Sequence, residues 1–167
     1  VTDFNGCQEQ QSITIDQSAP ILLSLTNSDV SCFEDNNGSI NVTVAGGNPS
    51  FSYAWTGPNG FTAITEDVAA LFAGSYALSV TDSLSCISDT TVVITSPPAL
   101  STIMNSTNVT CNGLNNGTAA ATVSGGTIPY TYLWDDALAQ ISNPATGLAA
   151  GIYQVFVSDG NSCMDTA

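Results

Sequence analysis

Four blocks of this sequence return after a fixed interval. Val30-Ser31-Cys32, Asn36-Asn37-Gly38, Gly46-Gly47 and Tyr53-Ala54-Trp55 reappear 79 positions later as Val109-Thr110-Cys111, Asn115-Asn116-Gly117, Gly125-Gly126 and Tyr132-Leu133-Trp134. Two more follow at a shift of 77: Ala73 to Tyr76 returns as Ala150 to Tyr153, and Val80-Thr81-Asp82 with Cys86 returns as Val157-Ser158-Asp159 with Cys163. Val1-Thr2-Asp3 with Cys7 is a third copy of that last block. Such a period marks an array of one small domain. The spacing predicts a tail of a preceding repeat over 1–19, a complete repeat over 20–98, and a second repeat over 99–167 that lacks its last strand.

Within the complete unit the pattern is that of short strands. Ile21 to Leu25 is apolar, and Ser39 to Val44 alternates polar and apolar residues, as a half-buried strand does. Phe51, Tyr53 and Trp55 alternate onto one face. Phe61 to Thr65, Tyr76 to Val80 and Thr91 to Ile94 supply further strands, and Asp67 to Phe72 is a helical turn at most. Asn36-Asn37-Gly38 is a hairpin turn signal, because Asn and Gly tolerate positive φ. Pro97-Pro98 reads as a stiff linker. The fold class is therefore all-β, with tandem immunoglobulin-like β-sandwich repeats of about 78 residues. Trp55 and Trp134 take the core tryptophan position of the third strand, and Tyr76 and Tyr153 take tyrosine corners. Phe33 and Phe61 lie near turns without repeat partners, which makes them the candidates for exposed binding aromatics.

Charge excludes whole classes of function. The chain has 14 Asp and Glu residues and no Lys, Arg or His, for a net charge of −14. Without cationic side chains it has no means of displacing counterions from nucleic acid or of adhering to anionic lipid. No Ser-His-Asp, Cys-His or His-metal centre is available. Nor is there a run of about 20 apolar residues to insert into a membrane. Carboxylate acid–base chemistry is all that remains. Asp135-Asp136, the nearest pair, would point to opposite faces of a strand.

The five cysteines follow the repeat. The expected disulfides are Cys32–Cys86 and Cys111–Cys163, each within one unit, with Cys7 paired outside this segment. Each would close a loop of about 50 residues and contribute roughly 4 kcal/mol in the chain-entropy model. Buried free thiols are the competing reading. Stable bridges would place the protein in an oxidising compartment.

An acid stands on each side of the repeating cysteine: Asp82 and Asp89, Asp159 and Asp165, Asp3 and Glu9. Asp82, Asp89, Asp159 and Asp165 are thus calcium candidates, since Ca²⁺ takes several oxygen ligands. The favoured alternative is an Asx turn, in which Asp3, Asp82 and Asp159 cap the hairpin backbone. Glu34-Asp35 is a further acidic cluster, confined to one unit. Asn37, Asn41, Asn105, Asn108 and Asn116 stand in Asn-x-Ser/Thr sequons, which arise easily in a chain rich in Asn and Thr.

Gly125-Gly-Thr-Ile-Pro-Tyr-Thr-Tyr-Leu-Trp134 and Leu148-Ala-Ala-Gly-Ile-Tyr-Gln-Val-Phe-Val-Ser-Asp159 resemble the SprB repeat of Bacteroidetes surface adhesins, and Gly46 to Trp55 is a looser copy. The resemblance implies a very large extracellular, cell-surface protein of many Ig-like or PKD-like units, exported by type IX secretion and serving gliding motility or adhesion without enzyme activity. It also implies O-glycosylation at Asp-Ser/Thr sites, here Ser83, Thr90 and Thr166. The expected role is the rod or stalk of such an adhesin. Its partners would be neighbouring repeats of the same chain and surface polysaccharide or other cell-surface proteins. A self-assembling filament and a carbohydrate-binding module are the alternatives.

Overall fold

A computed structural model describes residue 1 and residues 4–167. All regular elements longer than a single 3-10 turn are strands. The first unit contains β1 (Leu22–Ser28), β2 (Gly38–Ala45), β3 (Ser52–Thr56), β4 (Thr62–Ala63), β5 (Val68–Leu71), β6 (Gly74–Thr81) and β7 (Ile87–Ile94). They form two sheets, ordered β1-β2-β5 and β4-β3-β6-β7, with every pairing antiparallel. The second unit repeats the plan with β8 (Ser101–Thr107), β9 (Gly117–Ser124), β10 (Thr131–Trp134), β11 (Ala145–Leu148), β12 (Val155–Ser158) and β13 (Met164–Thr166). Its sheets are β11-β9-β8 and β10-β12-β13. This is the strand order of an immunoglobulin-like sandwich, with the first, second and fifth strands facing the third, sixth and seventh.

Each unit has its own core. Trp55 packs with Ile40, Val42, Val68, Leu71, Tyr76, Leu78 and Val80 in the first. Trp134 packs with Ala119, Ala121, Ala145, Leu148, Val155 and Val157 in the second. Both indoles are buried and donate Nε1–H to a carbonyl, that of Thr65 at 3.0 Å and that of Ser142 at 2.9 Å. Both tyrosines donate their hydroxyl four residues back, Tyr76 to Phe72 O at 2.9 Å and Tyr153 to Ala149 O at 3.1 Å. Burial raises the Tyr76 pKa, which keeps the phenol neutral.

Three local readings change. Asp67 to Phe72 is not a helical turn but the strand β5. A bulge at Ala70, with φ 57, brings Val68 and Leu71 to the same side, so two inward residues stand three apart as on a helix. Gly147, φ 72, does the same in β11. Asn36-Asn37-Gly38 is not a two-residue turn either. Residues 29–37 form a longer loop in which Glu34 carries the positive φ of 63. Asn37 closes that loop by accepting the Ser31 N–H at 3.0 Å, and Asn116 accepts the Thr110 N–H at 3.1 Å in the second unit. The side chains of these two sequons are thus engaged. Finally, Phe61 is no exposed platform, because its ring packs edge-on against Tyr76 at 5.3 Å.

The repeated Gly-Gly pair seats the entering chain. Gly47 N–H bonds Ala19 O at 3.1 Å, and Gly126 N–H bonds Pro98 O at 2.9 Å. A Cβ on Gly46 would stand 2.1 Å from the Pro20 carbonyl oxygen, at a φ of 72. Gly46→Ala combines that backbone collision with left-handed strain, and should cost about 2–4 kcal/mol in a urea titration. An unchanged midpoint would mean that the entering strand is not held there.

Candidate functional site

The feature that joins the two units lies beside the Pro97-Pro98 linker. Cys32, in the loop between β1 and β2, is bonded to Cys163, in the turn between β12 and β13. The expected pairs Cys32–Cys86 and Cys111–Cys163 are therefore corrected to one bridge between units. The reason is where each cysteine falls on the sandwich. The Cys32 loop lies at the exit end, where Val30 N–H bonds Thr95 O at 3.2 Å and Asp29 accepts Thr95 N–H at 2.8 Å. Cys86 lies past the far end of β6, in the turn to β7. An eight-residue strand spans about 26 Å, whereas disulfide Cα atoms stand within about 7 Å. A unit's own two cysteines thus sit at opposite ends. Cys86 and Cys111 are exposed and unbonded, and Cys7 is exposed.

Both turns that carry the second cysteine are organised by a buried aspartate. Asp159 Oδ1 accepts the N–H groups of Asn161 and Cys163, each at 2.9 Å, while Oδ2 accepts Thr127 N–H at 2.8 Å. Asp82 does the same with Leu84 and Cys86, each at 2.9 Å, and with Asn48 at 3.0 Å. Three amide donors per carboxylate make an anion's environment. The Asn48 amide contributes most to lowering the Asp82 pKa. At Asp159 burial pushes upward, and the amides of Thr127, Cys163 and Asn161 outweigh it, so its pKa is lowered as well. These are the Asx turns weighed against calcium. Asp89 and Asp165 lie on β7 and β13, across from Ser79 and Val157, away from that amide cage. No cluster of three potential ligands forms among the described residues. Asp3 lies outside the described residues.

A depressed pKa contributes stability above the unfolded value and loses it as pH falls through the folded value. With an unfolded value near 3.9, the stability gap between the wild type and the Asp82→Asn, Asp159→Asn double variant should be constant above about pH 5. It should shrink progressively below about pH 4. Urea titrations across that range would read it, and a gap independent of pH down to 2 would refute the role of the charge.

The remaining candidates fall into turns and surfaces. Asp136 is held by the Gln140 side chain at 2.9 Å and by the Gln140 and Leu138 amides, which together lower its pKa. Asp135 accepts Gln154 N–H at 2.7 Å. The pair shapes the loop after β10. Ser83 and Thr166 are exposed and Thr90 is half-buried. Phe33 is exposed beside the bridge, and with Pro97, Leu100 and Met164 it lines a crevice between the units. Asn161 Nδ2 donates across the same junction to Ser31 O at 2.8 Å. Neither the junction nor its bridge was legible as such, but one signal pointed to it: Cys32 and Cys86 flank opposite ends of predicted strands.

Two immunoglobulin-like units, covalently joined across their linker, define a tandem repeat module of the kind that builds extended extracellular proteins. The model of the SprB repeat matches residues 24–60 and 104–139, one match in each unit, which supports the SprB-repeat family. That family and this fold are typical of non-enzymatic modules, and together with a disulfide they fit a protein outside the cytoplasm. No curated protein matches the chain. Among solved structures it is similar to one described as the structural basis for Dscam isoform specificity, at 14% identity and a TM-score of 0.36, over 90% of this chain and 45% of that one. It is also similar to the amphioxus IgVJ-C2 molecule, at 13% identity and a TM-score of 0.30, over 91% of this chain and 96% of that one. At such scores the overlap says nothing about ligands. No helix among the described residues is long and apolar enough to cross a membrane.

Proposed function

We propose that this chain is part of the load-bearing rod of a large cell-surface adhesin, a spacer with no catalytic role of its own. The observation that carries the reading is the Cys32–Cys163 bridge, which ties successive units where a simple string of domains would hinge. Other features support it. The entering chain is locked against the Gly-Gly pair, and the exit is held by Asp29. A net charge of −14 without any cation keeps neighbouring rods apart. The carboxylates best placed for acid–base chemistry, Asp135 and Asp136, are engaged by backbone amides. The partners in this reading are neighbouring repeats of the same chain, with surface polysaccharide or other surface proteins met elsewhere along the fibre. Immunogold labelling of intact cells, with antibody raised against this chain, tests it. Label along thin surface fibres is expected. Label that appears only after permeabilisation would overturn the reading.

A further inference from the structure

The bridge joins the first cysteine of one unit to the second cysteine of the next, so it is not symmetric within a unit. Repeat translation then has a definite consequence for the two cysteines left over. Cys86 occupies the Cys163 position of the first unit, and Cys111 occupies the Cys32 position of the second. Each half-site is already built. The Cys86 turn is held by Asp82 as the Cys163 turn is held by Asp159. The Cys111 loop is clamped by Asn116 as the Cys32 loop is clamped by Asn37. Both thiols are exposed. Ser85 and Ser162 share a left-handed φ, 64 and 66, directly before the cysteine, and Gly6 precedes Cys7 with φ 84. The backbone pairing of Val1 with Glu9 reproduces that of Val80 with Ser88. The Asn161–Ser31 hydrogen bond, by contrast, has no counterpart from the first unit, since Leu84 stands at the matching position there.

We infer that Cys86 is a disulfide site for the first cysteine of a preceding repeat and Cys111 for the second cysteine of a following one, so that every junction of the array is stapled as Cys32–Cys163 staples this one. Closing each bridge takes one hydrogen from each of two thiols. Both hydrogens, with the electron pair, pass to the disulfide of an extracytoplasmic thiol oxidoreductase, which leaves as a dithiol.

The pattern makes the array a pair of covalent tie lines. One runs from Cys7 to Cys32 and across the bridge to Cys163. The other runs from Cys86 through β7, the linker and β8 to Cys111, and onward through the next bridge. Cys111 lies 25 positions beyond Cys86, and most of that path is already extended strand. A strand rises about 3.3 Å per residue, and a fully stretched chain reaches only about 3.3–3.6 Å. The line therefore has almost no slack. Residues 33–85 and 112–162 hang outside both lines and carry no axial load. A pull along the fibre loads bonds rather than folds.

Two measurements on the native full-length protein decide this. The first is alkylation without reductant, followed by digestion with an Asp- or Glu-directed protease and mass spectrometry. Cys86 should be found joined to a peptide of the preceding repeat, and Cys111 to one of the following repeat. Cys86 joined to Cys32, or either thiol alkylated in the native array, would overturn the inference. The second is single-molecule pulling. The oxidised array should show none of the releases of about 250 Å that unravelling a 79-residue unit gives, and reductant should restore them. Such releases from the oxidised array would also overturn it. Both readouts are independent of what the fibre adheres to.

Discussion

Trp134→Ala should abolish folding of the second unit while the first remains native. Trp134 is almost completely buried, and its indole N–H holds the Ser142 carbonyl. Truncating a buried Trp costs about 3–5 kcal/mol, and the orphaned carbonyl adds about 1–3 kcal/mol. A unit of this size has roughly 4–12 kcal/mol to lose. The second unit should lie at the low end of that range because of its core composition. Where the first unit has Ile40, Val42 and Val68, the second has Ala119, Ala121 and Ala145. Three β-branched side chains are thus reduced to methyl groups around the same tryptophan. Trp55→Ala meets a better-filled core and should leave a destabilised but folded first unit. One tryptophan per unit makes the check direct. In Trp134→Ala the remaining fluorescence reports the first unit alone, while loss of the β8–β13 amide protection reports the second. A second unit that still protects its amides would show that the alanine core is not the weak one.

Much of this architecture follows from the sequence, and the places where it did not have physical causes. Trp55, Trp134, Tyr76 and Tyr153 stand out because a core indole and a corner phenol need fixed positions relative to the strands around them. β2 and β6 stand out because one face of each is buried and the other wet, which gives strict alternation. β5 is obscured because its bulge puts Val68 and Leu71 three residues apart, a helical spacing in a strand. Phe61 reads as a surface aromatic because its ring turns back onto Tyr76 from the turn that precedes the two-residue strand β4. The calcium candidates Asp82 and Asp159 cannot be separated from hairpin caps by residue type. Only the count of amides at each oxygen does that. The cysteines carry the deepest lesson. Periodicity assigns each one a place within a unit, but a bridge depends on which end of the sandwich that place occupies. The same periodicity that suggested a bridge inside the unit supports one between units once the ends are known.

Breaking the Cys32–Cys163 bridge should therefore change how the two units unfold, as well as how firmly. The bridge closes a loop with a sequence separation of 131. In the chain-entropy model such a loop disfavours the unfolded ensemble by about 5 kcal/mol. That benefit is felt in full only when both units are unfolded, since a folded neighbour already holds part of the loop together. Oxidised protein should unfold in one steep transition at a raised urea midpoint. Reduced protein, or Cys32→Ser, should unfold in two steps, with the alanine-cored second unit first and at lower urea. Separating the units in this way lowers the apparent slope of each step, because each exposes only part of the surface. In the isolated two-unit chain Cys86 and Cys111 lack the neighbouring repeats and stay thiols, so reductant leaves them chemically unchanged and they provide an internal control. If reduced and oxidised protein gave superimposable transitions, the bridge would be a passive ornament of two units already fused by their linker contacts. A bridge confined to one unit would leave the other unit's transition untouched by Cys32→Ser. The separate response of Trp55 and Trp134 fluorescence distinguishes that case from a bond that couples both.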